Sequence, residues 1–145
     1  MKGENLLQTL NSIIQSTLPH QYPFLMIDNI LEIIEGKSVK GIKNISANEW
    51  YITRDNKVIP NVMLVEALAQ LGAFAALGEE YNLGFLTAIK GAEFIHEASV
   101  GDQINLYYEI KRMKKGFVLG KGHAEVNGQI IVKVDEILIY QARSS

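Results

Sequence analysis

The chain has 145 residues, a formal net charge of −2, 48% hydrophobic and 21% charged residues, and no cysteine. That length suits a single domain over 1–145, and the near-neutral charge, without basic and aromatic residues interleaved along a strand pair, argues against a nucleic-acid binder. Without cysteine there are no disulfides, thiolate nucleophiles or thiolate metal sites, which fits the cytoplasm.

The opening MKGENLLQTL carries Glu4 and lacks an uninterrupted apolar core, so it does not read as a secretory signal. Leu6, Leu7, Leu10, Ile13 and Ile14 recur at helical spacing and predict a short amphipathic helix at about 5–16. Pro19 and Pro23 then keep LPHQYPF extended. Residues 24–35 and 38–45 read as strands joined across Gly36-Lys37. The stretch 46–60 is polar, with a turn at Asp55-Asn56 and an end at Pro60.

A central helix follows, with Asn61 as its predicted N-cap and Gly78 as its stop. From Val62 to Leu77 only Glu66 and Gln70 are polar, so this helix is predicted to be buried on every face. The run is short for a bilayer span and carries a carboxyl, so no membrane span is expected. Four strand-like runs close the chain, at 83–98, 102–114, 116–126 and 129–142, and Asn127-Gly128 marks a tight hairpin between the last two. One apolar helix among about six antiparallel strands predicts an α+β domain. A helix that apolar needs more cover than one sheet provides, so a second subunit is expected against it.

Burying an unpaired carboxylate costs several kcal/mol or more, so Glu66 must find partners or keep its proton. Gln70 lies four residues on, on the same helical face, within reach of a hydrogen bond. A buried carboxyl held by an amide can serve as a general acid. It can equally be half of a structural pair tying the helix to a neighbour.

LPHQYPFLMIDNILEI at 18–33, VIPNVMLVEALAQLGA at 58–73 and VGDQI at 100–104 resemble the FabZ-type (3R)-hydroxyacyl-acyl-carrier-protein dehydratases over nearly the whole chain. The resemblance implies a hotdog fold, with a long helix wrapped by an antiparallel sheet and two subunits forming the active unit. It also implies loss of water from a 3-hydroxyacyl thioester, carried on acyl carrier protein or coenzyme A, to give a trans-2-enoyl thioester. In that chemistry a histidine takes the C2 proton, an acidic residue protonates the departing hydroxyl, and backbone N–H groups at the helix start polarise the carbonyl. Glu66 matches the acidic residue and Gln70 its companion glutamine, while Asn61 and Val62 fall at the helix start where substrate would bind.

The sequence departs from that family in three places. The pattern N-E-P-F-F, G-H-F-P-G and a proline-rich turn is replaced by the stretch Asn48–Asn61, three residues shorter and without histidine. Arg54, nearest the missing base, cannot give up a proton, and Asp55 is expected in a solvated turn. Asn61 replaces the glycine after the proline, narrowing the approach to the backbone or competing for its N–H groups as a cap. The family's basic strand D-K-A-R-F-R-R-P becomes Lys90–Glu97, while Lys111, Arg112, Lys114 and Lys115 cluster instead near the end of the 102–114 strand.

Of the histidines, His20 reads as a hydrogen-bond hub between prolines or as a substitute base. His96 faces core or solvent, and His123 is expected to be solvated on an outer strand. Their spacing offers no metal motif, and neither metal nor cofactor is expected. Two functions remain open: a dehydratase with a variant site, or a catalytically silent hotdog that binds acyl thioesters or pairs with an active dehydratase. The unit is expected to be a homodimer or, in the second case, a heterodimer.

Overall fold

A computed structural model describes residues 26–75 and 84–141. The helix expected at 5–16, the segment bearing His20 and the predicted stop at Gly78 lie outside them. Six strands form one antiparallel sheet: β1 (Asn29–Ile34), β2 (Ser38–Asn44), β3 (Gly84–Phe94), β4 (Gln103–Lys114), β5 (Phe117–Val126) and β6 (Gln129–Gln141). Their order across the sheet is β1-β2-β4-β5-β6-β3. The helix α1 (Asn61–Ala75) lies between β2 and β3 in sequence and packs on one face of the sheet, chiefly against β4, β6 and β2.

Two-residue turns set the hairpin registers. Lys115 and Gly116 have φ of 47° and 85°, and Asn127 and Gly128 have 51° and 80°, the left-handed pairs that match strand twist. Asn127 tolerates this conformation because its short polar side chain bonds locally, and glycine follows it in both turns. Register shifts in β1, β3, β4 and β5 add bends. A bent sheet can curl around a single helix, where a flat one would touch it along one line.

The core is the inner face of the sheet closed on α1. Leu64, Leu68, Leu71 and Phe74 pack with Ile104, Leu106, Tyr108, Ile137 and Ile139, all buried. Tyr108 is fully buried, and its hydroxyl donates to the Ile137 carbonyl at 3.1 Å. Burial pushes that hydroxyl's pKa above the ordinary tyrosine value, so it stays a donor. Two glycines make room for the ring. A Cβ on Gly72 would lie 2.7 Å from it, and one on Gly120 would overlap both the ring and the Glu109 carbonyl.

The helix does not follow the prediction at its start. The Met63 N–H donates to the Pro60 carbonyl at 3.0 Å, so Asn61 is the first helical residue and not the N-cap. Its Oδ1 is buried and accepts no hydrogen bond among the described residues, so this side chain does not compete for the N–H groups of the first turn. Burial is also not uniform. It holds from Ala67 to Ala75, but Val62 is 70% exposed, and Met63 and Glu66 are half-buried.

Gly120→Ala should lower stability by about 1–3 kcal/mol, because neither the Tyr108 ring nor the Glu109 carbonyl can yield. Urea denaturation reads this as a lower midpoint at unchanged slope, and an unchanged midpoint would show that the slot is not tight.

Candidate active site

Glu66 and Gln70 stand one turn apart on α1. Gln70 is buried, and its Oε1 accepts the Met26 backbone N–H at 2.9 Å. That bond fixes the amide's orientation, so Nε2 faces Glu66 and lies 3.4 Å from its Oε1. The expected pairing is therefore present, with Met26 as its third member. Glu66 itself is half-buried in the single chain, not enclosed as the apolar run suggested.

The segment 46–60 is tied down at both ends. Ile45 N–H donates to the Asp102 carbonyl at 3.1 Å, and Ile59 N–H to the Ala98 carbonyl at 3.0 Å. At its tip, Thr53 N–H donates to the Asn56 carbonyl at 2.9 Å and Asn56 N–H to Thr53 Oγ1 at 3.0 Å, leaving Arg54 and Asp55 exposed. The turn predicted at Asp55-Asn56 is thus closed on itself and solvated. Near the helix start, Asn56, Val58, Ile59, Pro60, Asn61 and Glu97 line an open hollow of about 300 Å³.

A charge cluster around a buried lysine lies in the same region. Lys43, 3% exposed, donates to Glu49 Oε1 at 2.7 Å and faces Asp28 Oδ2 at 3.8 Å. Tyr51 is also buried, with a hydroxyl that has no hydrogen-bond partner among the described residues. Its pKa is pushed up by burial first and then by the charges of Glu49 and Asp28. Alternation could have flagged Lys43, since it falls on the inward register of β2 with Val39 and Gly41.

His96 is exposed. His123 is not on an outer strand as expected: β5 lies inside the sheet between β4 and β6. It is half-buried on the face away from α1, where its ring stacks on Tyr107 at 5.2 Å. Burial lowers its pKa, Lys121 and Lys133 add to that, and Glu125 opposes it. His20 lies outside the described residues. Of the basic cluster, Lys111 is engaged with the Asp135 carbonyl at 2.8 Å. Arg112, Lys114 and Lys115 line a hollow of about 450 Å³ floored by Phe117, Leu119 and Leu138.

Among the described residues no group of acidic and histidine side chains could hold a metal, and no helix is long and apolar enough to cross a membrane.

The profile of the FabA-like domain matches residues 18–135. The 3-hydroxyacyl-[acyl-carrier-protein] dehydratase FabZ of Geobacillus sp. (strain WCH70) is 45% identical over 128 residues, covering 84% of this chain and 88% of that one. YcsD of Bacillus subtilis (strain 168), an uncharacterised protein, is 41% identical over 124 residues, covering 86% and 95%. Among solved structures, the dehydratase heterocomplex ApeI:P from Xenorhabdus doucetiae matches with a TM-score of 0.74 at 14% identity, covering 90% of this chain and 91% of that one. Cj0977, a sigma28-regulated virulence protein from Campylobacter jejuni, matches at 0.71 with 17% identity, covering 92% and 91%. At such identities these two speak for the fold alone. The chain belongs to the FabA-like family and is a FabZ-type protein of the hotdog fold.

Proposed function

We propose that this protein dehydrates (3R)-hydroxyacyl thioesters through a variant active site in which Glu66 is the general acid. The observation that carries this is the Glu66–Gln70–Met26 arrangement, kept within a FabZ-type chain although a polar pair is costly in so apolar a helix. In the reaction the C2–H bond breaks and its proton passes to a base. The C3–O bond then breaks, and oxygen leaves as water with the proton from Glu66. The electrons left at C2 form the C2–C3 double bond. Asn61 and Val62 are the substrate-binding residues at the helix start. There the backbone N–H groups, uncontested by Asn61 Oδ1, suit a carbonyl gathering negative charge.

His20 is our candidate base. The segment that bears it runs into Met26, whose N–H is held by the glutamine beside Glu66. A neutral imidazole is suited to proton abstraction near pH 7. Purified protein should convert 3-hydroxyacyl thioesters to products with enoyl absorbance, and Glu66→Gln and His20→Ala should each lower kcat by about a hundredfold or more. Turnover that survives Glu66→Gln sinks the assignment. Acyl-thioester binding by a wild type without turnover supports the second reading, a silent partner, which the missing family histidine favours.

The substrate carrier in this reading is an acidic acyl carrier protein, and no nucleic acid or membrane span enters it. Arg112, Lys114 and Lys115 around an apolar floor suit such a partner by charge. Lys114→Glu should raise KM for the carrier-borne substrate several-fold and leave the coenzyme A thioester unaffected. Equal effects on both would remove the docking role. A location in the cytoplasm goes with this reading.

The active unit in this reading is a homodimer joined at β3. Among the described residues that strand pairs with β6 alone, and Leu86, Ile89 and Phe94 are all more than a third exposed. A long apolar edge strand left open invites aggregation, so it calls for a partner. Sedimentation should show a dimer at micromolar concentration, and Ile89→Asp should shift it to monomer. A wild-type monomer would contradict the dimer.

A further inference from the structure

Polar contacts joined by the short backbone step Met26–Asp28 lead from the helix carboxyl to the segment 46–60. Glu66 is held by Gln70 at 3.4 Å, and Gln70 by the Met26 N–H at 2.9 Å. Two residues on, Asp28 enters β1, its N–H donating to the Ile42 carbonyl at 2.9 Å and its Oδ2 accepting the Asn44 N–H at 2.6 Å. Lys43 Nζ lies between this carboxylate, at 3.8 Å, and that of Glu49, at 2.7 Å. Glu49 in turn accepts the Ile52 N–H on its carbonyl at 3.0 Å, fixing the turn that leads to the Thr53–Asn56 tip.

We infer that Lys43 is a positioning residue: it holds the segment 46–60 in register with the entry of β1, and through Met26 and Gln70 with Glu66. Stability alone does not account for it. A buried ammonium is expensive to desolvate even beside a half-buried carboxylate, and an apolar side chain of like volume stabilises a core as well or better. What the ammonium adds is direction, because it faces two carboxylates on two separate parts of the chain. Packing between aliphatic side chains would leave their relative placement looser. The catalytic consequence rests on the dehydratase reading, whereas the mechanical link does not.

The test separates the two. Lys43→Met alone strands Glu49 and risks unfolding, so the main variant is the double Lys43→Met/Glu49→Leu. Glu49→Gln, which keeps the shape and removes one charge, serves if the double variant does not fold. Hydrogen exchange is followed at the Asn44, Ile52 and Met26 amides, with Leu106 in the sheet as reference. Protection at all three should fall about tenfold or more, with Leu106 unchanged, and kcat should fall about tenfold with KM within about twofold. Unchanged protection, or a loss at Asn44 and Ile52 that spares Met26, overturns the link to the helix. Unchanged kcat in an active protein overturns its catalytic role. A wild type without turnover whose three amides still lose protection together leaves the link standing and removes the dehydratase reading instead.

Discussion

Every feature of this structure answers to one constraint: a fifteen-residue helix whose only ionisable group is Glu66 has to be covered. A sheet can cover it only by curling, and the bulges and left-handed turns supply the curl. The packing that results is close enough to forbid a methyl group at Gly72 or Gly120, where Tyr108 fills the space between helix and sheet. Its hydroxyl finds the Ile137 carbonyl, so the largest buried side chain leaves no polar atom unmatched. Cover is complete from Ala67 onward; before that Leu64 and Val65 are buried, but Val62 is open and Met63 and Glu66 are half-buried. Glu66 therefore lies on the face of the helix that its own sheet covers only in part.

Polar groups inside such a core are few, and their placement is informative. Gln70 and Lys43 are buried and both serve the residues that enter β1: Gln70 receives the Met26 N–H, and Lys43 faces Asp28. The buried Lys43 ammonium has little freedom, since leaving the Glu49 carboxylate would strand its own charge in a poorly polarisable interior. The amide of Gln70 is likewise fixed, because turning it over would set its NH₂ group against the Met26 N–H. Rigid polar contacts at the edge of an apolar core are what a carboxyl needs if it is to meet a substrate repeatedly in one geometry.

Much of this was legible in the sequence, for physical reasons that differ by element. Strand positions followed from β-branched alternation, and Asn127-Gly128 from the φ that only such residues accept readily. Glu66 and Gln70 stood out because polar residues in an apolar run are expensive. Three things were not legible. Asn61 reads as a cap by type, but the Pro60 carbonyl already starts the helix, a matter of backbone geometry one residue away. His123 reads as solvated from its charged neighbours, yet strand order places it inside the sheet against Tyr107, and order across a sheet is a tertiary fact. Alternation marks Lys43 as inward-facing, but its partners Asp28 and Glu49, fifteen residues before it and six after, are brought to it only by folding.

On the dehydratase reading, the base sets the last requirement on the site. A general acid alone protonates the leaving hydroxyl but cannot remove the C2 proton, and each transfer is worth orders of magnitude in rate. The segment Asn48–Asn61 cannot supply the base from its tip: Arg54 holds its proton, and Asp55 is exposed on a turn closed by its own hydrogen bonds. The stretch that carries this turn is anchored at both ends, so reaching inward would require breaking those bonds. On that reading a base has to come from elsewhere, and the face it has to reach is the one bearing Val62, Met63 and Glu66, which the described sheet covers least.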